Sequence, residues 1–150
     1  MPKKNTLRLK SADSSYDQFL RSVKPVGLGM SNSLSHLDRA AYIRARKLRD
    51  GATRSISTEY ELRDAAGGYF DAIGKFVLTV TDGKQSSPAL MIECQYESHF
   101  HCTAPVDRVL AERFTKSELR LILWPYFREL VHDMCGKMGI PPLTIPLSTS

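Results

Sequence analysis

The sequence has no Cys-x-x-Cys pair. Its three cysteines, Cys94, Cys102 and Cys135, are scattered, and an odd count argues against a disulfide framework. That usage fits a reducing cytoplasm. There is no G-x-x-x-x-G-K-[ST] phosphate loop and no G-x-S-x-G elbow, which removes the commonest nucleotide and acyl-transfer signatures. Gly27-Leu28-Gly29 lacks the third glycine of a dinucleotide fingerprint and reads as linker. His99, His101 and Cys102 form the only metal-like cluster. On a strand, however, Cys102 points away from the two histidines, and a zinc site wants four ligands. No metal and no cofactor is expected. Glu129, His132 and Asp133 read as the wet side of a helix, and no nucleophile, base and orienter stand together. No catalytic residue is assigned, and an enzyme is not expected. Apolar runs long enough to span a bilayer are missing, and the opening MPKKNTLRLK is followed by no signal-type apolar stretch.

Acidic residues are scarce in the first third. Residues 1–50 hold eleven Lys and Arg against four Asp, a net +7, whereas residues 51–150 hold ten against twelve, a net −2. Basicity therefore belongs to the beginning of the chain. A basic arm can bind nucleic acid or simply stay solvated.

What is present is led by one stretch, Lys116–Gly139. Leu119, Ile122, Leu123, Tyr126, Phe127, Leu130, Val131, Met134 and Met138 recur in steps of three and four, drawing an apolar stripe down a helix. Thr115 and Glu118 have the spacing of a capping box, which predicts the start there. Gly139, followed by Pro141 and Pro142, predicts the end, and Pro125 should kink the helix or begin its second half.

Upstream, residues 1–12 read as a disordered basic extension and Tyr16–Val23 as a short helix capped by Ser14 or Ser15. Lys24–Ser35, rich in Pro, Gly, Ser and Asn, reads as a linker, and Leu34–Arg49 as a basic helix with a thin apolar side. The period then changes to two. Ser55–Arg63 places Ile56, Thr58, Tyr60 and Leu62 on one face. Phe70–Thr81 does so with Phe76, Leu78 and Val80, and Ala89–Cys102 with Leu90, Ile92, Cys94 and Tyr96. Asp64–Gly68 and Asp82–Ser87 are the turns, and Ala104–Phe114 is a connection with some helical character. Strands in succession followed by one long amphipathic helix make an α+β fold with an antiparallel meander. Each apolar helix residue buried on the sheet contributes roughly 1.5 to 3 kcal/mol. Two regions are expected, a basic N-terminal extension over residues 1–50 and a folded domain over residues 51–150.

The same residues carry a family resemblance. The strand LMIECQYESHF, with Glu93, Gln95 and Phe100, resembles a strand of the SecB export chaperones. The helix segment LWPYFRELV is similar to the family's Leu-Phe-Pro-Tyr-Ala-Arg-Glu run. Leu123, Pro125, Tyr126, Arg128 and Glu129 keep that run, while Trp124 and Phe127 depart from it. GIPPLTIPL resembles the family's Gly-x-Phe-Pro-x-Leu-x-Leu stretch through Pro141, Leu143 and Ile145. The resemblance covers residues 53–147.

The resemblance implies a four-stranded antiparallel sheet with helices on one face, assembled as a homotetrameric dimer of dimers. It implies an ATP-independent holdase for unfolded or precursor polypeptides, delivering them to the translocation ATPase SecA or guarding the antitoxin of a toxin–antitoxin system. The family is generally acidic and has a second helix after the proline-rich stretch. The basic helix Leu34–Arg49 is therefore expected to pack where that helix would lie. Trp124, Phe127, Met134, Met138, Ile140 and Leu143 are the candidate client contacts, methionine adapting to varied side chains. The alternative for each is burial in the core or an oligomer interface. A competing function is a nucleic-acid-binding accessory role for the basic first third. The scarcity of aromatics for stacking and the lack of a docking motif argue against it.

Overall fold

The computed structural model describes residues 14–47, 53–81 and 87–147. The stretch 1–12, most of the Asp82–Ser87 turn, and Leu48 and Arg49 lie outside the described residues. Residues 14–22 form helix α1, as the sequence predicts to within two residues. Strand β1 (Val23–Leu37), helix α2 (Arg39–Lys47) and strands β2 (Thr53–Ala66), β3 (Tyr69–Thr81) and β4 (Leu90–Cys102) follow. Helices α3 (Arg108–Ser117) and α4 (Leu119–Met138) come last. The four strands form one antiparallel sheet in the order β1-β4-β3-β2. The fold is α+β, with β2, β3 and β4 as the meander and every helix on one face.

The expected linker Lys24–Ser35 is instead the body of β1, and the expected helix Leu34–Arg49 starts at Arg39. Turn-forming residues misled the sequence reading because β1 is an edge strand. Only one of its sides must pair, so the missing N–H of Pro25 and the weak propensity of Gly27 and Gly29 are tolerated. Register shifts at Pro25/Gly27 and Met30/Asn32 absorb the irregularity. The sheet thus draws on residues from both sides of residue 50. Asp38 then stops the strand and caps α2, its Oδ1 accepting from Ala41 N at 3.1 Å. Ala41, Tyr42 and Ala45 bury the inner side of α2, which packs against β3.

Alternation in the two central strands is as expected. Phe76, Leu78 and Val80 on β3 and Leu90, Ile92, Cys94 and Tyr96 on β4 are buried beneath the helices. On the edge strand β2, Ile56, Tyr60 and Leu62 are half-buried and Thr58 is exposed. Two aromatic clusters fill the core. One gathers Phe19, Phe70, Phe100 and Phe114 under α1 and α3. The other centres on Phe76, which stacks on Phe127 at 4.9 Å and meets Tyr60, Tyr96 and Trp124.

The capping box at Thr115 does not form. Thr115 is buried within α3 and its hydroxyl donates back to Ala111 O at 2.9 Å. The side-chain cap belongs to Asp107, which accepts from Val109 N and Leu110 N. Glu118 joins the two helices without a side-chain cap. Pro125 lies inside α4 on its solvent side, where water can serve the carbonyl it leaves unpaired. Gly139, at φ 69°, ends α4 in the left-handed conformation.

Candidate functional site

The geometry of the site follows from how apolar residues are dealt around α4. The core-facing ladder is Leu119, Leu123, Phe127, Val131 and Cys135, each four residues from the last and all buried. Beside it runs a second ladder, Ile122, Tyr126, Leu130, Met134 and Met138, which the sequence reading merged with the first. Ile122 is 36% and Tyr126 47% exposed, and the other three are half-buried. Trp124 and Arg128 lie on the opposite flank of the helix. α4 therefore has a closed side toward β2 and an open side toward β1.

On the open side, Tyr126 stands 6.3 Å, ring to ring, from Tyr96 on β4. Tyr96, Tyr126, Glu129, Leu130, His132 and Asp133 line a recess of about 390 Å³. Burial raises the Tyr96 phenol well above the usual tyrosine range, with Cys94 nearby adding to the effect. It stays neutral. The floor extends outward because Met30 of β1 is directly opposite Tyr96. α4 lies across β3 and β4, and the middle of β1 is uncovered on its helix side, leaving Met30 50% and Leu28 36% exposed, while Val23 and Leu37 at its ends pack against the core. The result is a trough with tyrosine walls that Met30 extends toward the sheet edge, rimmed by Glu129, His132 and Asp133. It can hold extended, apolar chain.

On the closed side, the chain after Gly139 runs back along α4 as a strap, residues 140–147. Trp124 Nε1 donates to Pro146 O at 2.8 Å, Arg128 Nε to Ile145 O at 3.4 Å, and Arg54 Nη1 to Thr144 O at 2.5 Å. The nominated contacts divide accordingly. Trp124, Phe127 and Ile140 are buried within this chain. Met134, Met138 and Leu143 are half-buried and packed against the core. Met134 and Met138 continue the second ladder, Trp124 and Leu143 belong to the strap side, and Phe127 lies on the sheet. Leu28, Met30, Ile122 and Tyr126 are not among the contacts expected from the sequence. The four-residue spacing of the second ladder was the signal that could have found two of them.

The remaining clusters are separate. His99 and His101 project from the outer face of the sheet, where Asp71 Oδ1 lies 2.6 Å from His99 Nδ1 and the Tyr69 ring lies against His101. Cys102 faces inward and is buried. Among the described residues, no three His, Cys, Asp or Glu side chains are placed to hold a metal, and no helix is long and apolar enough to cross a membrane. Burial pushes the Cys94 thiol up to about 11, so it is no nucleophile at neutral pH.

This fold, four antiparallel strands with a long helix and its companions on one face, is the SecB-like fold. It is shared with the Mycobacterium tuberculosis Rv1957 SecB-like chaperone, solved in complex with a ChAD peptide from the Rv1956 HigA1 antitoxin. The two match with a TM-score of 0.68 at 16% identity, over 87% of this chain and 94% of that one. A protein of unknown function from Streptococcus agalactiae matches at 9% identity with a TM-score of 0.46, over 83% of this chain and 96% of that one. No protein-family model matches the sequence, and no curated protein matches it.

Proposed function

We propose that this protein is an ATP-independent chaperone, a holdase that keeps unfolded polypeptide from aggregating. The observation that carries this is the trough between α4 and β1. Ile122 and Tyr126 on α4 and Leu28 and Met30 on β1 are exposed apolar residues, Tyr126 and Met30 both beside Tyr96, and exposed apolar surface gathered in one place marks an interaction site. Extended chain engaging several shallow contacts at once gains affinity without any energy source. The SecB-like fold supports the same reading. The peptide held by the Mycobacterium neighbour favours a specialised client such as an antitoxin over general precursor export through SecA. Assembly as a dimer of dimers in the cytoplasm belongs to the proposal. In it, the half-buried Met134, Met138 and Leu143 share client contact with the trough.

The test is light scattering from a chemically denatured, aggregation-prone protein diluted into this one without nucleotide. Suppression near equal molar amounts is the expected result. Unchanged aggregation, from a folded and monodisperse sample, would overturn the holdase reading.

One observation favours a second reading. Arg44, Arg46 and Lys47 lie on the exposed side of α2, as an accessory nucleic-acid-binding role would need. That role requires binding that weakens steeply with salt and is lost when Arg44, Arg46 and Lys47 become Gln. A flat salt response removes it.

A further inference from the structure

We infer that the groove closed by the strap is itself a polypeptide-binding site, and that residues 140–147 occupy it as an exchangeable internal ligand. The inference rests on the holdase reading and gives it a second, covered site.

The strap is held in the manner of a bound peptide. Met138 and Trp124 are fourteen residues apart on α4, about 21 Å at 1.5 Å per residue. Eight residues, 139–146, retrace that distance, and a stretched chain of eight reaches about 26 to 29 Å. The strap is thus nearly extended and antiparallel to the helix. Among the described residues, no backbone–backbone hydrogen bond ties residues 141–147 to the body. Instead, three successive carbonyls, those of Thr144, Ile145 and Pro146, accept from Arg54, Arg128 and Trp124.

Donors aimed at main-chain carbonyls do not read the side chains between them. An extended segment of almost any sequence offers the same acceptors at the same spacing. Specificity is left to a few apolar positions, since Ile140 and Ile145 are buried and Leu143 is half-buried against the core, while Thr144, Pro146 and Leu147 are exposed. Pro141, Pro142 and Pro146 have no N–H, so the strap brings few donors of its own that would need partners. The favoured occupant is therefore an extended client segment with an aliphatic residue where Ile145 now sits. To enter, it must displace the strap, and Trp124 then becomes its contact.

Trp124 is the single tryptophan of the chain, so its emission reports the groove alone. The experiment uses the full chain with reduced, carboxymethylated ribonuclease A, an unfolded client free of tryptophan. Client binding should shift Trp124 emission, and a synthetic peptide of residues 139–147 should compete with the client. Ile145→Ser, which loosens the strap without touching the three donors, should tighten client binding about tenfold, because less resident occupancy must be displaced. The peptide added to that variant should restore the wild-type emission. Circular dichroism checks the variant's fold, and the peptide competition on the wild-type chain needs no variant at all. If client binds while Trp124 emission stays fixed and the peptide fails to compete, the strap is structural. The inference then falls and the holdase reading stands. If neither chain binds client, both fall together.

Discussion

Gly74 and Leu123 meet where α4 crosses the sheet. A methyl group on Gly74 would lie 2.5 Å from Leu123 Cδ1, with Phe76 and Tyr60 ring atoms at 3.3 and 3.4 Å. The helix sits at this depth because β3 presents no side chain there. Leu123 is fully buried, so it can yield only by disturbing the packing around it. Gly74→Ala should therefore cost about 1 to 3 kcal/mol in urea denaturation. Leu123→Ala alone should cost about 2 to 5 kcal/mol. The double variant should cost clearly less than the sum, since the added methyl enters the space the leucine leaves. Strict additivity would mean that the two do not share that space.

Burial should make the protein sensitive to alkali. It raises the Cys94 thiol to about 11 and pushes up the Tyr42, Tyr60 and Tyr96 phenols. The folded state favours the protonated form of each. Unfolded, the same groups lose their protons near their ordinary values of 9.0 for cysteine and 10.0 for tyrosine. Their contribution is complete below about pH 9 and is lost as pH rises through the folded values. The urea midpoint should be flat up to about pH 8.5 and fall thereafter. Tyr96→Phe, which removes one of these protons, should fall less steeply. An identical slope in that variant would exclude Tyr96 from the effect.

Arg39 joins α2 to the end of α4, donating from Nη2 to Met138 O at 2.6 Å. Cations near a helix C-terminus stabilise it, and this one also makes a hydrogen bond. Arg39→Ala should lower stability by about 0.5 to 1.5 kcal/mol. It should also speed amide hydrogen exchange in α2, whose buried residues are only Ala41, Tyr42 and Ala45. Arg44→Ala, on the exposed side of the same helix, is the control and should stay within about 0.5 kcal/mol of the parent. Equal losses in the two would show that the charge matters and the contact does not.

What could be read from sequence depended on how tightly each element is bound by its surroundings. β3 and β4 are central and covered, so Phe76, Leu78, Ile92 and Cys94 had to alternate, and they gave the meander away. β1 pairs along one side only, so its chain could keep Pro25, Gly27, Gly29 and Ser31, all of which speak for a turn. Val23, Leu28 and Leu37 were too widely spaced, across two register shifts, to show a period. Thr115 matched a capping pattern because three-residue spacing also occurs inside helices, and the actual cap, Asp107, stood in a segment read as a connection. The long helix is legible in the sequence, but its apolar stripe is wider than the face that the sheet covers. Two ladders one step apart look like one broad face until a sheet is placed beneath them. Only the sheet shows that Ile122 and Tyr126 face outward while Leu123 and Cys135 face in.

The open trough makes the most direct prediction about function. Tyr126 and Met30 are both about half exposed, lie on either side of buried Tyr96, and carry little of the core. Tyr126→Ser and Met30→Ser should each leave stability within about 0.5 kcal/mol of the parent, as surface changes usually do. If unfolded chain lies in the trough, each should weaken client retention several-fold. The double variant should lose most of the light-scattering protection, because aromatic and flexible apolar contacts dominate such sites. Sedimentation of the variants separates this from assembly. Should Tyr126→Ser dissociate an oligomer while each released chain still protects the client, the outward ladder of α4 is an interface between copies, and client binding belongs elsewhere on the molecule.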